Sequence, residues 1–429
     1  MQINEKCVII TNQEVEIRGE TMLEIETLDR KYAQLLLHKC LCFNNTNTLL
    51  IEYMTHEHDD FVKIIIEEAK KMNIKDIVLC CNDSDKIHQY LINTEIDDIT
   101  LNPLIDRTSW DEVAKKHGCI LHINTFIPNL MNDVDSKKIS KMNQVVAPTF
   151  SYYRANNKYN FPWVICAYPN RRWAESLFNG DPNAYLRLYD YIMKMCMVDS
   201  ENPSKSWDEY IFKLNEYKEK LQNMKINKLY YKNGLGTDFE IGFPKDYKWI
   251  NLDKKDNYGN SIIVNMPSYE IFTTPDCRTA NGVVFNSRPL VFHNNIIDDF
   301  YIEFKDGIAI KYKARIGDEL LKELIENYKN SNRLGEVALV NNNSPISNTG
   351  IIFYNTLFDE NASCHLALGR GNSSTIKDYK NMTSEEFDKV GINNSNVHVD
   401  FMIGTSDLEI VANTEKGKQL VFKKGNFNI

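Results

Sequence analysis

Near its C-terminal end the chain carries Asn396-Val-His398-Val-Asp400-Phe-Met-Ile-Gly404. In an extended strand residues two apart project from the same face, so His398 and Asp400 would present an imidazole and a carboxylate together. That donor pair suits a divalent first-row cation, although two donors do not define a metal centre and an ordinary buried His–Asp hydrogen bond is the other reading. Three further residues of ligand chemistry lie upstream. His365 sits in Asn361-Ala-Ser-Cys-His365-Leu-Ala-Leu-Gly369, a small and apolar setting that offers its ring few partners, as a ligand or as a satisfied core histidine. Glu336 interrupts Leu334-Gly-Glu336-Val-Ala-Leu-Val340, which otherwise reads as a buried strand, and a buried acid must be paired, protonated or metal-bound. Glu270 stands in Asn265-Met-Pro-Ser-Tyr-Glu270-Ile-Phe-Thr-Thr-Pro-Asp276, where a surface glutamate is the alternative. All of these lie in the second half of the chain, which points to one shared polar site.

The elements that must position them divide the chain in two. In the first half the short β-branched runs Ile77 to Cys81, Cys119 to Ile123 and Trp163 to Ala167 predict buried strands. Between the early ones, Phe61, Ile64, Ile65, Ala69 and Met72 recur at helical spacing, with Asp59 and Asp60 at the start and lysines at the end, as the helix dipole favours. This alternation predicts an α/β domain over residues 1–222. Ser206 is the expected N-cap of a helix from Trp207 to about Met224. Beyond it, Lys228 to Tyr231, Thr237 to Phe243, Asp299 to Phe304 and Gly307 to Tyr312 alternate like strands, with turns at Asn233-Gly-Leu-Gly236 and Lys305-Asp-Gly307, and one helix is expected from Asp318 to about Tyr328. Residues 223–429 are therefore expected to form an α+β domain with a largely antiparallel sheet.

Composition narrows the function. At 429 residues, with 43% hydrophobic residues, the chain can fill large cores and is too long for one small binding module. The formal charge of -9 lacks the electrostatic footprint of a nucleic-acid binder. No run approaches the roughly 20 apolar residues that span a bilayer, and the N-terminal stretch lacks a secretory pattern, so a cytoplasmic protein without membrane partners is expected. The cysteines are scattered without a C-x-x-C pair, which disfavours structural zinc and suggests buried reduced thiols. Two features are set aside. His56-Glu-His58-Asp59-Asp60 has ligand-like composition but sits where acids complement a helix N-terminus, and the glycine pairs at 234/236 and 369/371 lack a dinucleotide fingerprint, so no nucleotide cofactor is expected.

Taken in order, the segments around Glu270, Glu336, His365 and His398–Asp400 resemble the thermophilic metalloaminopeptidases of the aminopeptidase T, aminopeptidase S and PepS group. Pro162-Trp-Val-Ile-Cys-Ala-Tyr-Pro169, Trp173-Ala174 and Ser206-Trp207 extend the likeness through nearly the whole chain. The resemblance implies a two-domain homodimer that removes N-terminal residues from peptides. It also implies two divalent metal ions per chain, zinc, cobalt or manganese, on Glu270, Glu336, His365, His398 and Asp400, at separations of 66, 29, 33 and 2 residues. Three carboxylates and two imidazoles are an apt donor set for a dinuclear metal site that activates water, with ions about 3.5–4 Å apart.

This chain departs from the family pattern twice. Seven residues after His365, where a metal-associated Tyr is common, it has Asn372, with Tyr379 a replacement only if the loop folds back. Immediately before Glu270, where many relatives have a second Glu, it has Tyr269. The general base is therefore unassigned, Asp359 and Glu360 being candidates that could equally be caps. The departures also admit a catalytically impaired peptide-binding homologue with weakened metal loading.

Overall fold

The computed structural model describes residues 12–43, 47–155, 162–256, 259–293, 295–379 and 382–429. In the first half the three apolar runs form parallel strands β2 (Asp76–Cys81), β3 (Cys119–Asn124) and β4 (Trp163–Ala167), β2 being an edge strand with Leu79 exposed and not the buried strand expected, and a further strand, β1 (Thr48–Tyr53), lies between β2 and β3. They are separated by helices, as parallel pairing requires. The helix Asp59–Lys71 between β1 and β2 buries Phe61, Val62, Ile65 and Ala69, with Asp59 and Asp60 in its first turn and Lys70 and Lys71 in its last. A fifth strand, β5 (Asn265–Met266), comes from the second half and adds parallel to β4, giving the order β5-β4-β3-β1-β2. Strand β1 lies near the centre of this sheet.

The long helix Pro203–Asn223 starts earlier than expected. Asn202, and not Ser206, is its N-cap: the Asn202 side chain accepts from the Lys205 N–H, and Pro203 follows, a residue whose fixed φ and missing N–H suit the first helical position. Ser206 donates instead to the Ser200 hydroxyl. This helix buries Trp207, Leu214 and Leu221, and the Trp207 indole donates to the Cys196 carbonyl at 2.8 Å.

The second half is built on antiparallel pairing. A nine-stranded sheet contains Ile226–Lys232, Asp238–Gly242, and the hairpin of Asn295–Lys305 with Ile308–Ile316, closed at Asp306 and Gly307, both at positive φ. A second antiparallel sheet runs β9 (His398–Met402), β8 (His365–Gly369), β7 (Leu334–Leu339), β6 (Ile271–Thr273) and a short edge strand, Ile250–Asn251. The main buried core is continuous from Leu49 and Ile51 of β1 to Leu366 of β8 and Phe401 of β9.

The described cysteines are free thiols, most of them buried; Cys7 lies outside the described residues. No described helix is long and apolar enough to cross a membrane.

Candidate metal centre

The five residues singled out above converge on one face of the second antiparallel sheet. Glu336 pairs with Ala367, Ala367 with Asp400, and Gly369 with His398, so these positions share a face. His365 pairs with Ala338, two residues along from Glu336, and belongs to the same face. Glu270 directly precedes β6, and by alternation shares a face with Phe272, which pairs with Ala338. Ala338, Ala367 and Gly369 are small, so the face has room between its functional groups.

A bulge sets Glu336 correctly. The register shifts between Leu334 and Glu336, placing one extra residue, Gly335, on β7. In an unbulged register, with Gly335 itself opposite Ala367, Glu336 would oppose Leu366 and point to the other side of the sheet. Only glycine fits here, because a Cβ at position 335 would lie 2.4 Å from the carbonyl oxygens of both Gly369 and Arg370.

The functional atoms are close. His365 Nε2 lies 3.1 Å from Glu270 Oε2 and 3.8 Å from Glu336 Oε1, while His398 Nε2 lies 3.7 Å from Glu336 Oε2 and 3.4 Å from Asp400 Oδ1. Glu270, Glu336 and His365 form one group of potential donors within 4.8 Å of one another, and Glu336, His398 and Asp400 form a second. Glu336 is common to both. His365 Nδ1 lies 3.1 Å from the Ser363 carbonyl and His398 Nδ1 lies 2.7 Å from the Arg370 carbonyl. A carbonyl can only accept, so each Nδ1 carries the proton and each Nε2 faces the cluster, the orientation of a metal-binding histidine fixed from behind. Asp400 Oδ1 is buried and accepts no hydrogen bond of good geometry.

Burial of acids in a group brings predictable shifts. Burial pushes Glu336 up, against the pull of His365 and His398. Burial disfavours both imidazolium forms, but neighbouring carboxylates outweigh it. Glu270 and Glu336 hold His365 well above the usual range, and Asp400 and Glu336 raise His398 to about 10. Protons on the imidazoles offset negative charge that a divalent cation would neutralise more fully. The cluster is graded: His365 is 1% exposed, whereas the His398 and Asp400 side chains are 25% and 12% exposed, so the site opens on the side of β9.

The two acids before His365 separate in role. Asp359 is occupied, its carboxylate accepting the backbone N–H groups of Phe353 and Asn355 at 3.0 and 3.1 Å. Glu360 is buried beside the cluster, where burial and the charges of Asp400 and Glu270 push its carboxyl well above the ordinary range. Asn361 ties this segment to Glu270, its amide oxygen accepting the Tyr269 N–H at 2.6 Å while its amide nitrogen donates to Leu357 and Glu360.

Neither departure from the family pattern enters the cluster through its side chain. The Asn372 amide oxygen accepts from the Ser374 N–H and hydroxyl, capping the turn Ser373–Thr375. Tyr269 turns the other way, packs on Trp207 and Tyr210, and donates its hydroxyl to the Met195 carbonyl. In the set-aside acidic segment, Thr55 accepts the Glu57 N–H, Glu57 accepts the Arg171 N–H, and His58 is buried against Tyr168.

Known proteins resemble this chain over most of its length. The profile of the thermophilic metalloproteases (M29) matches residues 26–427. Aminopeptidase 2 of Geobacillus stearothermophilus is 32% identical over 401 residues, covering 92% of this chain and 97% of that protein. Aminopeptidase AmpS of Bacillus subtilis is 33% identical over 374 residues, 86% of this chain and 90% of its own. The solved structure of wild-type AmpT from Thermus thermophilus superposes with a TM-score of 0.84 at 25% identity, covering 94% of this chain and 99% of that one. The chain therefore belongs to the thermophilic metalloprotease (M29) family, and is a metalloaminopeptidase.

Proposed function

We propose that Glu270, Glu336, His365, His398 and Asp400 hold two divalent cations, zinc, cobalt or manganese, and that the protein releases N-terminal residues from peptides at this centre. The observation that carries the reading is the position of Glu336, with one oxygen toward His365 and the other toward His398. The donor set fits. With metal–ligand distances of about 2.0–2.2 Å, donors on one cation lie at most about 4.4 Å apart. The imidazole–carboxylate separations of 3.1 to 3.8 Å fall within that limit. Asp400 Oδ1 adds a buried acceptor in need of a positive partner.

When bound, such a cation pair supplies Lewis acidity toward the scissile carbonyl and lowers the pKa of water. The chain's own groups do the remaining work. The Ser363 and Arg370 carbonyls keep both imidazoles aimed inward. The free α-amino group that distinguishes a peptide N-terminus binds at the cluster. Glu360, whose one side-chain hydrogen-bond partner among the described residues is Asn361, is the carboxyl available to hold a proton between water and the departing amine. The peptide enters on the more open His398–Asp400 side. In this reading residues 1–222 shape access, residues 223–429 carry the centre, and the working form is a cytoplasmic homodimer, which light scattering on the purified protein checks.

The test is turnover of an aminoacyl reporter before chelation, after chelation, and after return of zinc, cobalt or manganese. Loss and metal-dependent recovery are expected. Turnover indifferent to chelation would contradict the reading, and two bound ions without turnover on a broad panel would favour the impaired homologue.

A further inference from the structure

A cavity of about 300 Å³ is walled by both halves of the chain, on segments that lead toward the centre. Asn124, Thr125 and Phe126 bound it where the chain leaves β3, so it sits at the carboxyl end of the parallel sheet, the end where open α/β sheets receive ligands. Glu270 is placed at the same end, four residues beyond Met266 of β5, the strand separated from β3 only by β4. Two strand spacings separate β3 from β5 by about 10 Å. Two other walls lead to the cluster. Tyr354, Asn355 and Thr356 run through the short helix Thr356–Asp359 into Glu360. Val291 lies four residues after Ser287, whose N–H is bonded to the Met402 carbonyl on the strand of His398 and Asp400. The walls are fixed from behind: the Trp173 indole donates to the Phe353 carbonyl at 2.7 Å, and Asp359 binds the Phe353 and Asn355 N–H groups.

The lining has a definite chemistry. Phe126, Met131, Ile139, Met142, Val291 and Tyr354 make it largely apolar. His293 is its one titratable imidazole, and Asn143 Nδ2 donates to His293 Nε2 at 2.7 Å, which requires that nitrogen to be unprotonated. No Asp, Glu, Lys or Arg is among the described residues lining it. At the roughly 30 Å³ that a water molecule occupies in the liquid, the space equals about ten waters, enough for one bulky side chain.

Resting on the aminopeptidase reading above, we infer that this cavity receives the side chain of the substrate's N-terminal residue and selects bulky uncharged ones. An ammonium, guanidinium or carboxylate entering it loses hydration and meets no opposite charge. Leu, Met, Phe and Tyr fill it with apolar area, and the Asn143, Asn355 and Thr356 polar groups can meet a phenol hydroxyl.

The test uses the metal-loaded full chain and a panel of aminoacyl reporters with Ala, Leu, Phe, Lys or Glu. In the wild type, kcat/KM for Leu and Phe should exceed that for Lys and Glu by about tenfold or more. Met142→Glu, which adds a carboxylate to a half-buried wall position, should raise the Lys-to-Phe ratio of kcat/KM by about tenfold. Met142→Trp, which fills the space, should lower the Phe-to-Ala ratio by a similar factor. Wild-type turnover with both ratios unmoved by both substitutions would overturn the pocket and leave the aminopeptidase reading standing. Absence of wild-type turnover on every reporter would overturn that reading, and the pocket with it.

Discussion

Glu336→Gln is the most informative single change, because it keeps the side chain's volume while removing the charge common to both donor groups. Each cation held at a hundred times its dissociation constant adds about 2.7 kcal/mol of stability. Unfolding entropy of about 2.1 cal/mol/K per residue gives this 429-residue chain about 0.9 kcal/mol/K. One saturated site should thus raise the unfolding midpoint by about 3 °C and two sites by about 6 °C. Scanning calorimetry of chelated protein, with and without added metal, reads the shift against each variant's own chelated midpoint. The wild type should show the full shift. Asp400→Asn, which touches one group of donors, should keep about half of it, and Glu336→Gln should keep almost none. Turnover by Glu336→Gln should fall by about a thousandfold, equivalent to about 4 kcal/mol. If Glu336→Gln retained half the shift or more, Glu336 would not be common to two sites and the reasoning would fail.

Three further expectations follow from side chains near or away from the centre. Tyr269→Phe removes the hydroxyl bonded to the Met195 carbonyl and should cost about 1 kcal/mol by denaturant unfolding, with kcat/KM unchanged, since the ring faces the helical layer. Asn372→Ala deletes the cap of the Ser373–Thr375 turn and should likewise cost about 1 kcal/mol, while metal stoichiometry by elemental analysis stays the same. Asp29 is buried, and burial raises its carboxyl to about 7 despite hydroxyl donors from Tyr189 and Tyr168. The folded state therefore binds this proton more tightly than the unfolded chain, so the Asp29 contribution to stability falls as pH rises from about 4 to about 7 and is level above. Urea midpoints should show Asp29→Asn gaining on the wild type across that window, by an amount on the order of 4 kcal/mol, and a flat difference would contradict the assignment.

Much of the centre was legible because its residues violate local rules. Glu336 in an apolar run and the alternation of His398 with Asp400 signalled chemistry before any fold was known, and the structure brings both beside His365 and Glu270. Glu360 carried no such signal. It follows the Asn355-capped helix as an ordinary loop-start acid would, and only the folding of its segment against β9 buries it among the other acids. The bulge at Gly335 was equally silent, because it is a matter of register between strands and not of residue type.

The fold shows the same division. The runs at Cys119 and Trp163 formed strands nearly as expected, since β-branched apolar segments bounded by turns have few other uses. Strand β1, near the middle of the sheet, escaped notice: its Glu52 breaks the apolar pattern, and that charge is tolerated only because His122, Asn82 and Trp110 from other elements bind it. The strand Asn265–Met266 was invisible for a different reason. Two residues carry no periodicity, and their pairing with β4 is decided by contacts made 100 residues away in sequence.

The central claim is that two cations share Glu336. Anomalous scattering from crystals grown with zinc or manganese tests it directly. The account predicts two peaks, each about 2.0–2.2 Å from its donors, with Glu270 and His365 on one, His398 and Asp400 on the other, and a Glu336 oxygen on each. A single peak, or peaks that leave Glu336 uncoordinated, would contradict it.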